Sequence, residues 1–177
     1  MSTTELTEAP TSWGEPRTKT VTWYDPMIGA SAGLAMAGID YLTAIRDGRV
    51  PPAPISGLMD FGISEVEPGR VSFTCRPDES AYNPIGVVHG GLVCTLLDSV
   101  TACAVHSTLP LGKGYTSIEI KVSYLKAVTA RSGLLTATGT LVKVGSRVGF
   151  SEGVVVDESG TPVATATSTC LIFELPS

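Results

Sequence analysis

The chain's capacity for chemistry is concentrated in one stretch, NPIGVVHGGLVCTLLDSV, residues 83–100. Across residues 92–105 there is no Lys, Arg or Glu, and a single carboxylate, Asp98, stands in a run that is apolar or small in every direction around a helix. A helix apolar all round is a buried helix, and an ionised carboxylate taken out of water without a partner is costly. Asp98 therefore needs a reason to be there. It either caps a group or pairs with a distant Lys, or it faces a cleft and serves as a base or nucleophile. The chain's one His-Gly-Gly, at positions 89–91, comes just before it. The first backbone N–H groups of a helix lack internal acceptors and lie at the positive end of the helix dipole. Glycine also lets a ligand approach the backbone closely. The Gly90 N–H is thus a natural donor to a polarised carbonyl oxygen, with Gly91 beside it. Either feature alone is usually structural, and His89 alone could be a satisfied turn residue. Together they strengthen the reading of Asp98 as a base or nucleophile facing a cleft.

The elements that must position these residues can be read from the same sequence. LMDFGISEVE and RVSFTCR read as two strands joined at Pro68-Gly69, a turn dipeptide. After the buried helix come four more strand-like runs. In YTSIEIKVSYL, Ile118, Ile120, Val122 and Tyr124 alternate with Glu119, Lys121 and Ser123, a period of two with one wet face. LLTATGTLVKV and RVGFSEGVVV meet at Gly145-Ser146, and DESG marks a hairpin before PVATATSTCLIF. One buried helix among six strands predicts an α+β fold in which an antiparallel sheet wraps the helix. Upstream, residues 26–46 predict one helix or two short ones, with Asp25 as N-cap and Pro26 at the first helical position. The prolines at 51, 52 and 54 are expected to end helix there. The expected organisation is an arm and helical extension over residues 1–56, with 1–20 loosely attached, and one core domain over 57–177.

Composition removes several function classes. The net charge is −5 and the 12 Lys and Arg residues form no run, which argues against nucleic acid as a partner. Four separated cysteines and two histidines give no metal-ligand spacing. Buried reduced thiols suit a reducing cytoplasm. No secretory leader and no membrane-spanning run is expected.

The pattern Asn83-x-x-Gly86-x-x-His89-Gly90-Gly91, followed after six residues by Asp98, resembles the signature of hotdog-fold acyl-CoA thioesterases of the phenylacetate-degradation (PaaI-like) type. TSIEIKVSYLKAV, KVGSRVGF and DESGTPVATATSTCLI are similar to strands of that fold, so the resemblance covers residues 57–173. It implies a long central helix wrapped by the sheet and hydrolysis of an acyl- or aryl-CoA thioester to acid and CoA, with no cofactor or metal. It implies that the Gly90 amide holds the thioester carbonyl and that Asp98 is the catalytic carboxylate. Asn83 and His89 would shape the carbonyl site. Ser117 would help hold the attacking water, with Thr116 as the alternative if the register slips by one. Lys143, Arg147, Lys126 and Arg131 are candidates for the CoA phosphates.

Asp98 could deprotonate water or attack first to form an anhydride. Cys94, Thr101 and Ala102 are candidates to line the acyl site. Gly90 and Asp98, eight residues apart, lie about 12 Å from each other along a helix, so one chain cannot supply both to one carbonyl. A homodimer with composite sites, or a dimer of such dimers, is expected. The same fold also hosts dehydratases and non-catalytic acyl-CoA sensors. A dehydratase's His–carboxylate pair fits this spacing poorly, and a sensor would not need Asp98.

Overall fold

A computed structural model describes residues 10–175; residues 1–9, part of the expected loose arm, lie outside the described residues. The upstream helical region is two helices, α1 (Pro26–Leu34) and α2 (Gly38–Arg46). Asp25 caps α1 by accepting from the Met27 N–H at 2.9 Å, and Pro26 occupies the first turn. The proline-rich segment does not end helix for good. A third, short helix α3 (Pro54–Met59) starts on Pro54, where the missing N–H costs nothing. It stops at Asp60, whose φ of 55° is left-handed. The first strand therefore begins at Phe61 rather than at Leu58, and α3 runs across the 56/57 boundary expected between extension and core.

The strands are β1 (Phe61–Glu67), β2 (Arg70–Cys75), β3 (Lys113–Tyr124), β4 (Leu135–Val144), β5 (Val148–Val156) and β6 (Pro162–Glu174), with α4 (Gly90–His106) between β2 and β3. They form one antiparallel sheet in the order β1-β2-β4-β5-β6-β3. The sheet curls around α4. Leu96, Leu97, Val100 and Val105 of the helix are completely buried, as are Val71, Leu135 and Val155 on the facing strands. Close approach is secured by glycines in the sheet. Gly139 and Gly153 are paired across β4 and β5. A Cβ on Gly139 would lie 2.1 Å from the Val100 carbonyl oxygen.

Strand β3 departs from simple alternation. Its register against β6 shifts between Ser117 and Glu119, a β-bulge, and such an inserted residue flips the faces on either side of it. Ile120 and Val122 pack on the core as expected, but Ile118 is 59% exposed. Upstream of the bulge it is Tyr115 and Ser117 that turn toward the helix. β3 is also a sheet edge.

The extension is bound to the core. The Gly38 N–H donates to the Leu109 carbonyl at 3.0 Å, and a Cβ there would sit 1.8 Å from the His106 carbonyl oxygen, so only glycine lets α2 abut the end of α4. Leu42 and Ala44 of α2 are buried. Part of the expected loose arm is likewise docked: Lys19 pairs with Asp78 at 2.9 Å, and Arg17 pairs with Glu79.

Candidate active site

The start of α4 is set by His89. Its backbone is extended (φ −61°, ψ 134°) and its Nδ1 accepts the Gly91 N–H at 2.8 Å, the geometry of an N-cap. Because Nδ1 is an acceptor, the neutral ring carries its proton on Nε2 and can only donate from that side. The Leu92 N–H bonds to the His89 carbonyl. The Gly90 N–H has no acceptor among the described residues. One orphan amide of the helix start is thus left free at the position the sequence singled out, while Gly91 is engaged by the cap. Both glycines are closely approached: a Cβ on Gly91 would meet the His89 ring at 2.9 Å, and one on Gly90 would meet the far end of the exposed Tyr124 side chain at 2.9 Å. The Tyr124 hydroxyl donates to the Gly90 carbonyl at 2.9 Å.

Asn83 sits one loop earlier. Its side-chain oxygen accepts from the Ile85 and Val87 N–H groups at 3.1 and 3.3 Å, so its oxygen shapes the loop that delivers His89. Gly86 completes the turn with φ 79°.

Two turns along the helix, the Ser117 hydroxyl donates to Asp98 Oδ1 at 2.8 Å. The bulge in β3 selects Ser117 over Thr116 for this contact. Oδ2 has no partner among the described side chains. Asp98 and Ser117 open on a cavity of about 500 Å³, and Thr116 stands at its wall. The thiols nearby stay protonated: burial pushes Cys103 up to about 12 and raises Cys94. Burial also lowers His106 to about 4, leaving it neutral at ordinary pH. Among the described residues, Asp98 is the one carboxylate on that cavity wall.

Other candidates lie elsewhere. Lys143 and Arg147 flank the β4–β5 hairpin, which packs toward the C-terminal end of α4: Gly149 faces Val105, and the Leu141 N–H bonds to Gly69, whose own N–H donates to Ser107 Oγ. In one chain that is the opposite end of the helix from Gly90, about 24 Å away. Lys126 is occupied with Asp157 at 2.7 Å; this pair and Ser159 hold the Asp157 carboxyl well below the usual range. Arg131 is exposed on a single helical turn, Ala130–Ser132. Thr101 is fully buried and bonds to the Leu97 carbonyl, so it does not reach the cavity, whereas Ala102 does. Tyr124, Tyr41 and His106 were not singled out by sequence. Tyr41 lies in the extension, and His106 carried only the signal of a His ending an apolar helix.

A lone helix wrapped by an antiparallel sheet, with a free glycine amide at its start and a carboxylate two turns on, is the hotdog class of fold. The chain belongs to the thioesterase superfamily, whose profile matches residues 85–164. A candidate esterase of Halobacterium salinarum is 40% identical over 84 residues, 46% of this chain and 54% of that protein. The chain spans about half the length of the curated relatives it matches. The structure of a candidate thioesterase of Ralstonia eutropha JMP134, a phenylacetic acid degradation-related protein, superposes with a TM-score of 0.68 at 30% identity, covering 74% of this chain and 98% of that one. A Streptococcus mutans UA159 protein bound to acetyl CoA superposes with a TM-score of 0.59 at 25% identity over 66% of this chain and 91% of that one.

Proposed function

We propose that the protein is an acyl-CoA thioesterase that hydrolyses an acyl- or aryl-CoA thioester to the free acid and CoA. The observation that carries this reading is the Asp98–Ser117 pair opening on a cavity large enough for an acyl group. The free Gly90 amide on the same helix supports it, as does the acetyl CoA held by the S. mutans relative.

Hydrolysis needs a polarised carbonyl and an activated water; the CoA thiolate leaves with little help. The Gly90 N–H donates to the carbonyl oxygen as negative charge develops there. The second oxygen of Asp98 takes a proton from water, or attacks the carbonyl carbon itself to give an anhydride that water then opens. Ser117 fixes the carboxylate's orientation in either route. The tautomer of His89 supports a donor role beside the carbonyl rather than the base of a dehydratase.

Because Gly90 and Asp98 stand about 12 Å apart on one helix, the site is composite: a two-fold partner brings its Asp98 to this Gly90. The unpaired edge of β3, which exposes Ile118 and Tyr124, is a strand edge suited to a symmetric partner. A dimer of such dimers is the larger assembly proposed. We place the protein in the cytoplasm, where its four free cysteines would stay reduced. Among the described residues, no helix is long and apolar enough to cross a membrane.

The test is release of free thiol from a panel of acyl-CoAs by the purified protein, compared with Asp98→Asn. Hydrolysis of at least one thioester, reduced by about 100-fold or more in the variant with the fold retained, is expected for loss of a general base. A wild-type protein inert on the whole panel, or an Asp98→Asn variant with unchanged turnover, refutes the assignment.

A further inference from the structure

The cavity that starts at Asp98 and Ser117 does not end on the sheet. It runs beside α4 to His106, eight residues on and about 12 Å away along the helix axis. There the extension forms part of its wall: Tyr41 and Ile45 of α2 and Ser56 of α3 line it together with Tyr115 of β3. The profile match of residues 85–164 leaves all of the extension outside. The wall is fixed in place, since Leu42 and Ala44 are buried beside Tyr41 and Gly38 abuts the His106 carbonyl.

The end of the cavity away from Asp98 carries polar rings. The rings of Tyr41 and His106 lie 5.6 Å apart and those of His106 and Tyr115 4.8 Å apart, each pair tilted. Among the described residues, neither the Tyr41 hydroxyl nor the His106 ring has a hydrogen-bond partner in the protein; both residues line the cavity, and the Tyr41 hydroxyl stands near Gly29 of α1. A neutral imidazole and a phenol offer both donors and an acceptor. A plain alkyl end arriving there would strip these groups of water and return nothing.

We propose that Tyr41 and His106 are specificity-determining residues. Through them the extension limits the acyl group to about the length of an extended eight-carbon chain and favours one with a hydroxyl or carbonyl at its far end. This rests on the thioesterase reading above, with Asp98 at the reacting end of the cavity.

The experiment measures kcat/KM of the full-length protein for octanoyl-CoA, 8-hydroxyoctanoyl-CoA and dodecanoyl-CoA. The same three substrates are run with Tyr41→Phe, His106→Leu and Tyr41→Ala. Wild type should prefer the hydroxylated eight-carbon substrate to the plain one by about three- to tenfold, the range of one hydrogen bond, and should disfavour dodecanoyl-CoA. Tyr41→Phe and His106→Leu should each lower the hydroxyl preference, and Tyr41→Ala should raise the dodecanoyl-to-octanoyl ratio by about fivefold or more. Each readout is a ratio within one preparation, so a loss of folded protein does not imitate it. Should Tyr41→Ala fail to fold, the near-isosteric Tyr41→Phe still decides the hydroxyl preference. Hydrolysis with ratios that none of the variants moves overturns the role of the extension and leaves the thioesterase reading standing. A wild-type protein inert on all three, and on shorter and aromatic thioesters, overturns both.

Discussion

If the site is shared, two inactive variants should repair each other. Attack on a carbonyl needs the nucleophile about 3 Å from the carbon and the oxyanion donor about 3 Å from the oxygen. A donor and base separated by about 12 Å on one rigid helix exceed that reach roughly twofold. Gly90→Pro deletes the free amide with little backbone cost. Position 90 is the first helical residue, where proline is accepted, and His89 already holds ψ 134°, the conformation a residue before proline prefers. The added Cβ meets the far end of the exposed Tyr124 side chain, which can turn away. Asp98→Asn deletes the base. Each homodimer carries two dead sites. In a heterodimer one site holds both lesions and the other holds an intact amide facing an intact carboxylate. Equal amounts reassociating at random yield half heterodimers, hence about one quarter of wild-type turnover, and a heterodimer purified on two tags should show about one half. The assay is thiol release on any accepted acyl-CoA, with dimer composition checked by mass spectrometry. Verified heterodimers as inactive as their parents would refute the shared site and require Asp98 to act within its own chain.

Removing the hydroxyl that holds Asp98, by Ser117→Ala, should lower kcat by about tenfold or more, the worth of a hydrogen bond to a charged group. Ser117→Thr should restore much of it, and an unchanged kcat in the alanine variant would sink the orienting role. Gly139→Ala puts a methyl 2.1 Å from a backbone oxygen of α4. Overpacking of this kind should depress the melting temperature by about 3–10 °C or prevent soluble expression, and an unaltered melt contradicts the packing described. Burial lowers the folded-state pKa of His106 from 6.5 to about 4. Between those values the unfolded chain binds a proton that the folded chain does not. Its contribution is therefore fully present above pH 6.5 and is lost as pH falls toward 4, at no more than about 1.4 kcal/mol per pH unit. Thermal melts from pH 7 to 5 should show this decline, and it should flatten in His106→Leu.

The order of strands and helix was legible because its signals are local. Turn dipeptides, period-two alternation and an uncharged helical run each report on a few neighbouring residues. The same holds for Gly90 and Asp98, whose residue types contradict their surroundings. Two features escaped because they depend on tertiary geometry. Alternation read through Ile118, Ile120, Val122 and Tyr124 puts Ile118 inside, yet the bulge after Ser117 reverses the parity and exposes it. No local signal announces an extra residue whose reason is the partner strand. The proline-rich segment at 51–54 reads as a breaker, but Pro54 starts a helix instead of ending one, because position within the helix decides what proline does. Tyr41 and His106, 65 positions apart in the chain, meet only once α2 has docked against the end of α4.

That docking divides the labour of the site between two parts of the gene. The hydrogen bonds that would do the chemistry are made within residues 83–124, while the far wall of the cavity is written in residues 41–56. Variation in the second stretch can reshape what the pocket holds without disturbing a single bond of the first. A chimaera that keeps residues 61–177 and exchanges everything up to the end of α3, with its glycine at position 38, is the natural way to retune such a protein.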